Sequence, residues 1–224
     1  YLPLKKRGAV NFGRWQEGAD VDIDALHTVK SPKDLFFPQS EDIVAFKMKG
    51  KEIEIDAPDT PDEPFAVFGV RACDARAMEV LDRVFLSEPV DTYYRARREN
   101  GVVITLACTA PEETCFCSVF GIDPAQPGGD VSAWLSGGFL YLKAVTEKGE
   151  AFLAGLTPLE EANDAEIEPA VRALEETMER LPLKDLDLTG IDGNATEKLF
   201  GSEQWAELSR ACLGCGTCTY ICPT

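Results

Sequence analysis

Apolar and polar residues alternate most clearly from Ile43 to Met48 and again from Glu52 to Asp56, on either side of Lys49-Gly50. A period of two around a glycine-bearing turn predicts a β-hairpin. A loop rich in Pro and Asp, Ala57–Pro64, follows it. Two later runs do not alternate: Phe65-Ala-Val-Phe-Gly-Val70 and Val102-Val-Ile-Thr-Leu-Ala107 are almost continuously apolar. Runs of that length and kind predict strands buried on both faces. Between them, Asp74 is placed to cap a helix from about Ala75 to Phe85, with Ala77, Val80, Leu81, Val84 and Phe85 on one face. Asp91 is placed to cap a second helix that stops at Asn100-Gly101. Strand, helix, helix, strand in that order predicts a parallel pair joined by a right-handed crossover.

The remaining pattern is weaker. Residues 1–40 read as irregular and punctuated by Pro, Phe139–Val145 as a strand, and Glu150–Leu156 as short and ambiguous. Glu168–Arg180 has the spacing of an amphipathic helix, with Val171, Leu174 and Met178 on one side. Leu181–Asn194, broken by Gly, Asp and Pro, reads as linker, and a last helix is expected over about Glu203–Ala211. The expected organisation is a mixed α/β (α+β) domain over residues 1–182, a linker over 183–202, and the start of a ferredoxin-like module over 203–224.

Composition narrows the function classes. The chain has 224 residues, 45% of them apolar, enough for a real core. A net charge of −17 argues against a nucleic-acid or anionic-membrane surface and suits docking on a basic partner as well as plain solubility. No run approaches the roughly 18 apolar residues of a membrane span, and the N-terminus does not read as a signal peptide. Eight cysteines at close spacings point to metal ligands in a reducing cytoplasm, rather than to a disulfide framework.

The chemistry sits in those cysteines. Near the C-terminus, Cys212-Leu-Gly-Cys215-Gly-Thr-Cys218-Thr-Tyr-Ile-Cys222-Pro223 is the ligand run of a bacterial ferredoxin-type [4Fe–4S] cluster. Gly214, Gly216 and Thr217 are small enough to let backbone amides approach cluster sulfurs. A structural zinc site would instead pair two Cys-x2-Cys knuckles across a longer stretch. In two-cluster ferredoxins the fourth cysteine of such a run serves the other cluster. The chain runs only two residues past Cys222 and starts without Met, so it is expected to be a piece of a longer polypeptide. Upstream, Cys73 and Cys108 each follow a predicted strand, and Cys115 and Cys117 lie in the next loop. Parallel strands would bring all four to one carboxyl edge, where open α/β sheets place their ligands, and the helix start after Cys73 would favour thiolate. The spacing leaves three occupants open: a further [4Fe–4S] cluster, zinc, or thiols without metal.

Gly69-Val-Arg-Ala-Cys-Asp-Ala-Arg-Ala77 through Leu81-Asp-Arg-Val-Phe85, then Tyr94–Asn100, Cys108–Cys117, Ser31-Pro-Lys-Asp-Leu-Phe-Phe-Pro38 and the C-terminal run together resemble a known group. It is the 4Fe–4S dicluster family of iron–sulfur electron-transfer subunits, found as the beta subunit of cytoplasmic sulfhydrogenases and as the electron-transfer subunit of anaerobic sulfite reductases. The resemblance implies a two-cluster ferredoxin-like module at the C-terminus. It implies electron exchange with two partners, a catalytic redox subunit and a flavin- and NAD(P)H-binding reductase subunit. It also implies that Cys73, Cys108, Cys115 and Cys117 match the family's N-terminal cysteines, and Cys212, Cys215, Cys218 and Cys222 its first ferredoxin motif. Two departures stand out. The second ferredoxin motif is absent, and Ser118-Val-Phe-Gly-Ile-Asp-Pro124 replaces a Gly-Thr-Gly-Pro-like stretch.

Other candidates carry less. His27 is the single histidine, which rules out a multi-histidine metal site or a His-based triad built with a second histidine. Neither phosphate-cradling glycine motif occurs. The acidic pairs Glu112/Glu113 and Glu160/Glu161 read as solvated surface, and Trp15, Trp134 and Trp205 as packing residues. Arg71 and Asp74, flanking Cys73, are candidates for supporting that cysteine, or for ordinary surface and capping roles. The leading expectation is an electron relay without bond-making chemistry of its own. A flavin-binding oxidoreductase domain and a zinc-stabilised interaction module are its rivals.

Overall fold

The computed structural model describes residues 1–56, 60–191 and 193–224. Two hairpins come first. Strands β1 (Leu2–Lys6) and β2 (Ala9–Gly13) pair antiparallel around Arg7 and Gly8, both with positive φ, as a tight hairpin turn requires. The stretch expected to be irregular is therefore partly ordered. Its strands have only five residues each, and Pro3 with the Lys5-Lys6 pair hides their period. Tertiary contacts supply what the pattern lacks: Phe68 N–H donates to the Tyr1 carbonyl at 2.9 Å, and Tyr1 and Phe12 pack on the core. Further on, Ser31 caps a single 3₁₀ turn, Pro32–Leu35, that delivers Phe36 fully buried into the same core.

Strands β3 (Ala45–Lys49) and β4 (Glu52–Asp56) form the expected hairpin, with Phe46 opposite Ile55 and Met48 opposite Ile53. Every residue of both strands is exposed. The period predicted the strands, yet the apolar face it implies meets solvent. Of the loop expected after it, residues 57–59 lie outside the described residues.

The two apolar runs become β5 (Phe65–Val70) and β6 (Gly101–Leu106), which pair in parallel. Helices α1 (Ala72–Phe85) and α2 (Thr92–Asn100) connect them in the chain. Strand β7 (Val131–Ser136) pairs parallel to β6, and β8 (Phe139–Ala144) returns antiparallel to β7 through Gly137-Gly138, giving the order β5-β6-β7-β8. The sequence reading missed β7, because Ser132 and Ser136 dilute its apolar signal. Its Val131 and Ala133 are nonetheless fully buried against Ile104 and Leu106. The ambiguous stretch resolves as helix α3 (Glu147–Ala154), capped by the Thr146 side chain on Gly149 N–H.

Helix α1 starts earlier than expected, with Arg71 as an extended N-cap residue and no side-chain cap. Asp74 does not cap it; its carboxylate takes a hydrogen bond from Ser31 Oγ instead, at 3.3 Å. The buried face also differs. Ala77, Met78 and Leu81 face the core, whereas Val80 and Val84 look outward. Asp91 does cap α2, accepting from the Tyr93 and Tyr94 amides. The two helices are locked through Asp82, whose carboxylate accepts both arms of Arg98 at 2.8 Å and the Tyr94 hydroxyl at 2.7 Å. Phe37, Phe85 and Tyr94 pack ring against ring beside it.

A second lock lies at the start of β7. The buried Asp130 carboxylate accepts from Val103 N–H at 2.9 Å and from Thr146 Oγ1 at 2.8 Å, with Lys148 Nζ at 3.3 Å. Helix α4 (Glu168–Met178) packs Leu174 inward, as its spacing predicts. Between it and the last cysteines come only short helices, α5 (Ala195–Leu199) and α6 (Gln204–Leu208), then α7 (Thr217–Ile221). α5 falls within the expected linker, of which residue 192 lies outside the described residues, and α6 is shorter than expected. Among the tryptophans, Trp134 is buried and donates Nε1–H to the Ala125 carbonyl at 2.8 Å, while Trp15 and Trp205 are exposed and do not serve as core packing. Among the described residues no helix is long and apolar enough to cross a membrane.

Two outcomes test these locks. A Cβ at Gly149 would sit 2.0 Å from the Asp130 carbonyl oxygen, which is backbone and cannot swing away. Gly149→Ala is expected to cost ~1–3 kcal/mol of unfolding free energy, read by urea denaturation. Burial raises the Asp82 carboxyl, but the bonds from Arg98 and Tyr94 outweigh it and hold the group below its ordinary value. A carboxylate depressed in the folded state contributes stability above the ordinary range and loses it as pH falls through the folded value. Asp82→Asn is expected to cost ~1–3 kcal/mol at neutral pH, with the gap to the native chain closing below about pH 4. A gap that stays constant down to acid would show that the ion pair is not its source.

Candidate metal centre

The register of β5 and β6 fixes the first two cysteines. Val70 is paired with Thr105, and Cys73 and Cys108 each follow that pair by three residues. Parallel strands end on the same side, so both cysteines leave at one carboxyl edge. The end of β5 is turned by Gly69, which has a φ of 88° at the point where the register with β6 shifts. A Cβ there would also come to 3.1 Å from Pro3. Cys73 falls inside the first turn of α1 rather than before it.

The chain from β6 to β7 then folds back over this edge. Cys108 N–H donates to the Pro124 carbonyl at 3.3 Å, closing the segment between them into a loop. Within it, Cys115 N–H donates to the Glu112 carbonyl at 2.9 Å and the Glu112 amide points at Cys115 Sγ, 3.3 Å away. Cys117 opens a 3₁₀ turn, Cys117–Phe120, ended by the left-handed Gly121. His27 reaches the same loop, with Nε2 3.9 Å from Glu112. Glu112 thus borders the cysteines, although its own side chain is mostly exposed.

Three of the thiols, Cys73, Cys108 and Cys117, are raised by burial and by neighbouring groups. Cys73 keeps contact with solvent, yet surrounding protein desolvates it, and with Asp74, Cys108 and Cys117 pushes its thiol up to about 12. Burial, helped by Cys117 and Cys115, pushes Cys108 up to about 11 against the pull of Arg71. Burial and Cys115 raise Cys117 as well. The sequence suggested that the helix start would favour thiolate at Cys73; its Asp74 amide does pull that way, but desolvation and like charge outweigh it. Burial also raises the neighbouring Asp74, to about 6. Thiols that disfavour one another's ionised forms are a donor set that a cation would relieve. An all-sulfur set suits iron–sulfur or zinc chemistry. Among the described residues, no three His, Cys, Asp or Glu side chains stand in the arrangement of a metal site.

Arg71 carries more than its place in the sequence suggests. It is 3% exposed and lies beneath this edge. Its Nη1 donates to the Ala107 carbonyl at 3.0 Å, with Leu106 at 3.4 Å, and its Nη2 to Ile23 at 3.1 Å and Ala25 at 2.7 Å. It therefore staples the end of β6 to the N-terminal segment. The available signal was a charged residue directly following an apolar strand run.

The C-terminal cysteines are disposed differently. Cys212, Cys215 and Cys218 are exposed and Cys222 is half-buried; the structure does not gather them into a ligand set. Gly214 and Gly216 both adopt positive φ, and Gly214 N–H already points at Cys212 Sγ, 3.3 Å away. Thr217 Oγ1 lies 3.2 Å from Cys215 Sγ and Thr224 Oγ1 3.2 Å from Cys222 Sγ, and these contacts lower both thiols. Lys33, beside Ser31, donates to the Cys222 carbonyl, which brings the end of the run towards the turn that also touches Asp74.

No protein-family model matches the chain, and no solved structure matches it. Over 226 aligned residues, covering the whole of this chain, it is 31% identical to the "Sulfhydrogenase 2 subunit beta" of Pyrococcus furiosus. The chain spans 65% of that relative's length. By sequence it resembles a sulfhydrogenase beta subunit from one end to the other.

Proposed function

We propose that the chain is a cytoplasmic iron–sulfur electron-transfer subunit of a multi-subunit oxidoreductase of the hydrogenase or sulfite-reductase kind. In this reading Cys73, Cys108, Cys115 and Cys117 hold one [4Fe–4S] cluster. Cys212, Cys215 and Cys218 hold three corners of a ferredoxin-type cluster, and Cys222 contributes to a further one. Such clusters, when bound, supply reversible one-electron storage at potentials set by burial and hydrogen bonds to sulfur. The chain relays electrons between a partner that binds flavin and NAD(P)H and a catalytic redox subunit. It performs no bond-making step itself.

The observation that supports the reading is the exit of Cys73 and Cys108 at one carboxyl edge of a parallel pair, with Cys115 and Cys117 in the loop that the Cys108–Pro124 bond closes. The relative being named as a subunit of a sulfhydrogenase supports the oxidoreductase assembly. Backbone features are consistent with that role: Gly214 and Gly216 are left-handed, and the Gly214 amide is directed at Cys212 Sγ. A partner-facing surface is supported by the β3–β4 hairpin, where Phe46, Met48, Ile53 and Ile55 form an exposed apolar face.

The flavin-domain alternative fares less well. A groove of about 630 Å³ lies between Ser118–Ala125 and α4, and Asp123, Glu175 and Glu179 line it. Three carboxylates repel the phosphate of a flavin nucleotide.

Iron and acid-labile sulfide counted per anaerobically purified chain test the reading. Cys117→Ser and Cys215→Ser are each expected to remove one cluster's share of iron and visible absorbance while far-UV circular dichroism stays native. Zinc without sulfide, or iron unchanged in Cys117→Ser, would overturn the assignment of the upstream cysteines.

A further inference from the structure

A buried guanidinium is ordinarily matched by a carboxylate, because leaving a charge unpaired in the interior costs several kcal/mol. Arg71 has no such match. Among the described residues no carboxylate lies within ion-pair distance of it, and all its hydrogen bonds go to the neutral carbonyls of Ile23, Ala25, Leu106 and Ala107. Its Nε is buried without any partner. Four carbonyls orient the group, but they do not neutralise it, and arginine keeps its charge at any ordinary pH. Some negative charge must therefore face it from beyond its hydrogen-bond shell. Asp24 and Asp74 act on it only at longer range. The cysteine edge is what the geometry sets beside it: Nη1 is bonded to the peptide carbonyl immediately before Cys108, and the Arg71 backbone lies two residues before Cys73.

The structure assigns to Arg71 the role of fixed counter-charge to an anionic centre built on Cys73, Cys108, Cys115 and Cys117. This rests on the reading that those thiols hold a metal centre. A four-thiolate site for iron–sulfur or zinc carries net negative charge, and a cation held beneath it lowers the cost of assembling it. If the centre is redox-active, the same cation favours the state with one more electron and raises its potential. Arg71 is thus a positioning and tuning residue, whose orientation comes from the strand end and the Ile23–Ala25 segment.

The test separates charge from architecture. Arg71→Lys keeps the cation and loses the fork of carbonyl bonds; Arg71→Gln keeps donors and loses the cation. Both are made in the full chain carrying Cys215→Ser, so that metal signals come from the upstream cysteines. Metal retention against EDTA and the midpoint potential are measured beside thermal unfolding. Both variants are expected to melt lower than the parent. Only Arg71→Gln is expected to lose retention by about tenfold and, with iron bound, to shift the oxidised-to-reduced ratio about tenfold, ~59 mV more negative. Equal retention and potential in folded Lys and Gln variants would overturn the counter-charge role while leaving the metal reading standing. If Arg71→Gln does not fold, the lysine variant decides: parental retention upholds the role, and a tenfold loss despite the kept charge overturns it. A parent chain with neither iron nor zinc at these cysteines sinks the reading and the inference together, whereas zinc in place of iron sinks only the cluster assignment and leaves the EDTA comparison decisive.

Discussion

Parallel pairing of β5 with β6 is the constraint on which the rest of the molecule depends. A parallel neighbour cannot be reached by a tight turn, so the chain must travel back along the sheet before β6 begins, and α1 and α2 occupy that return. Both strands are then covered. Phe36, Met78, Leu81 and Tyr94 pack with Val67, Val70 and Val103, while Leu106 and Ile104 pack with Val131 and Ala133. Burial of this kind leaves a sheet only its ends for chemistry. The ends of parallel strands coincide, and that is where Cys73 and Cys108 emerge.

The locks around the sheet follow from the same constraint. Strands β6 and β7 are parallel too, so β7 also needs a long approach, and the segment that makes it carries Cys115 and Cys117. Asp130 closes that approach by accepting from the Val103 amide and the Thr146 hydroxyl, which fixes where β7 starts and where α3 begins. Asp82 does the equivalent for the return between β5 and β6. Both carboxylates are placed to hold loops whose other ends border the cysteines, so stability and site geometry are coupled through them.

What the residues alone disclosed divides along physical lines. Continuous apolar runs are unambiguous when both faces are buried, so β5 and β6 were legible to within a residue at their ends. So was the Asp91 cap, because its carboxylate accepts from the Tyr93 and Tyr94 amides next to it in the chain. Asp74 has equal capping chemistry, but Ser31, distant in sequence, takes its side chain, and no local pattern reveals that. β1, β2 and β7 owe their order to neighbours rather than to their own periods. The β3–β4 hairpin shows the converse: its period was correct, yet period does not say which face a protein keeps. For the site, spacing brought the cysteines to attention, whereas the buried state of Arg71 is invisible without the fold that encloses it.

Arg71 also clarifies how so acidic a chain, at −17, places its charge. Most of that charge is spread over solvated surface, where screening makes each residue cheap to keep. The buried positive charge is the costly exception, and natural proteins retain such groups where they are matched by something. Hydrogen bonds to Ala107, Ile23 and Ala25 hold it in one orientation, at the strand end from which Cys108 leaves. Alone, the guanidinium lacks an anion, and the raised thiols stay protonated until a metal takes the place of the proton. In the proposed reading, metal bound at those thiols would form the anionic centre that the buried guanidinium lacks.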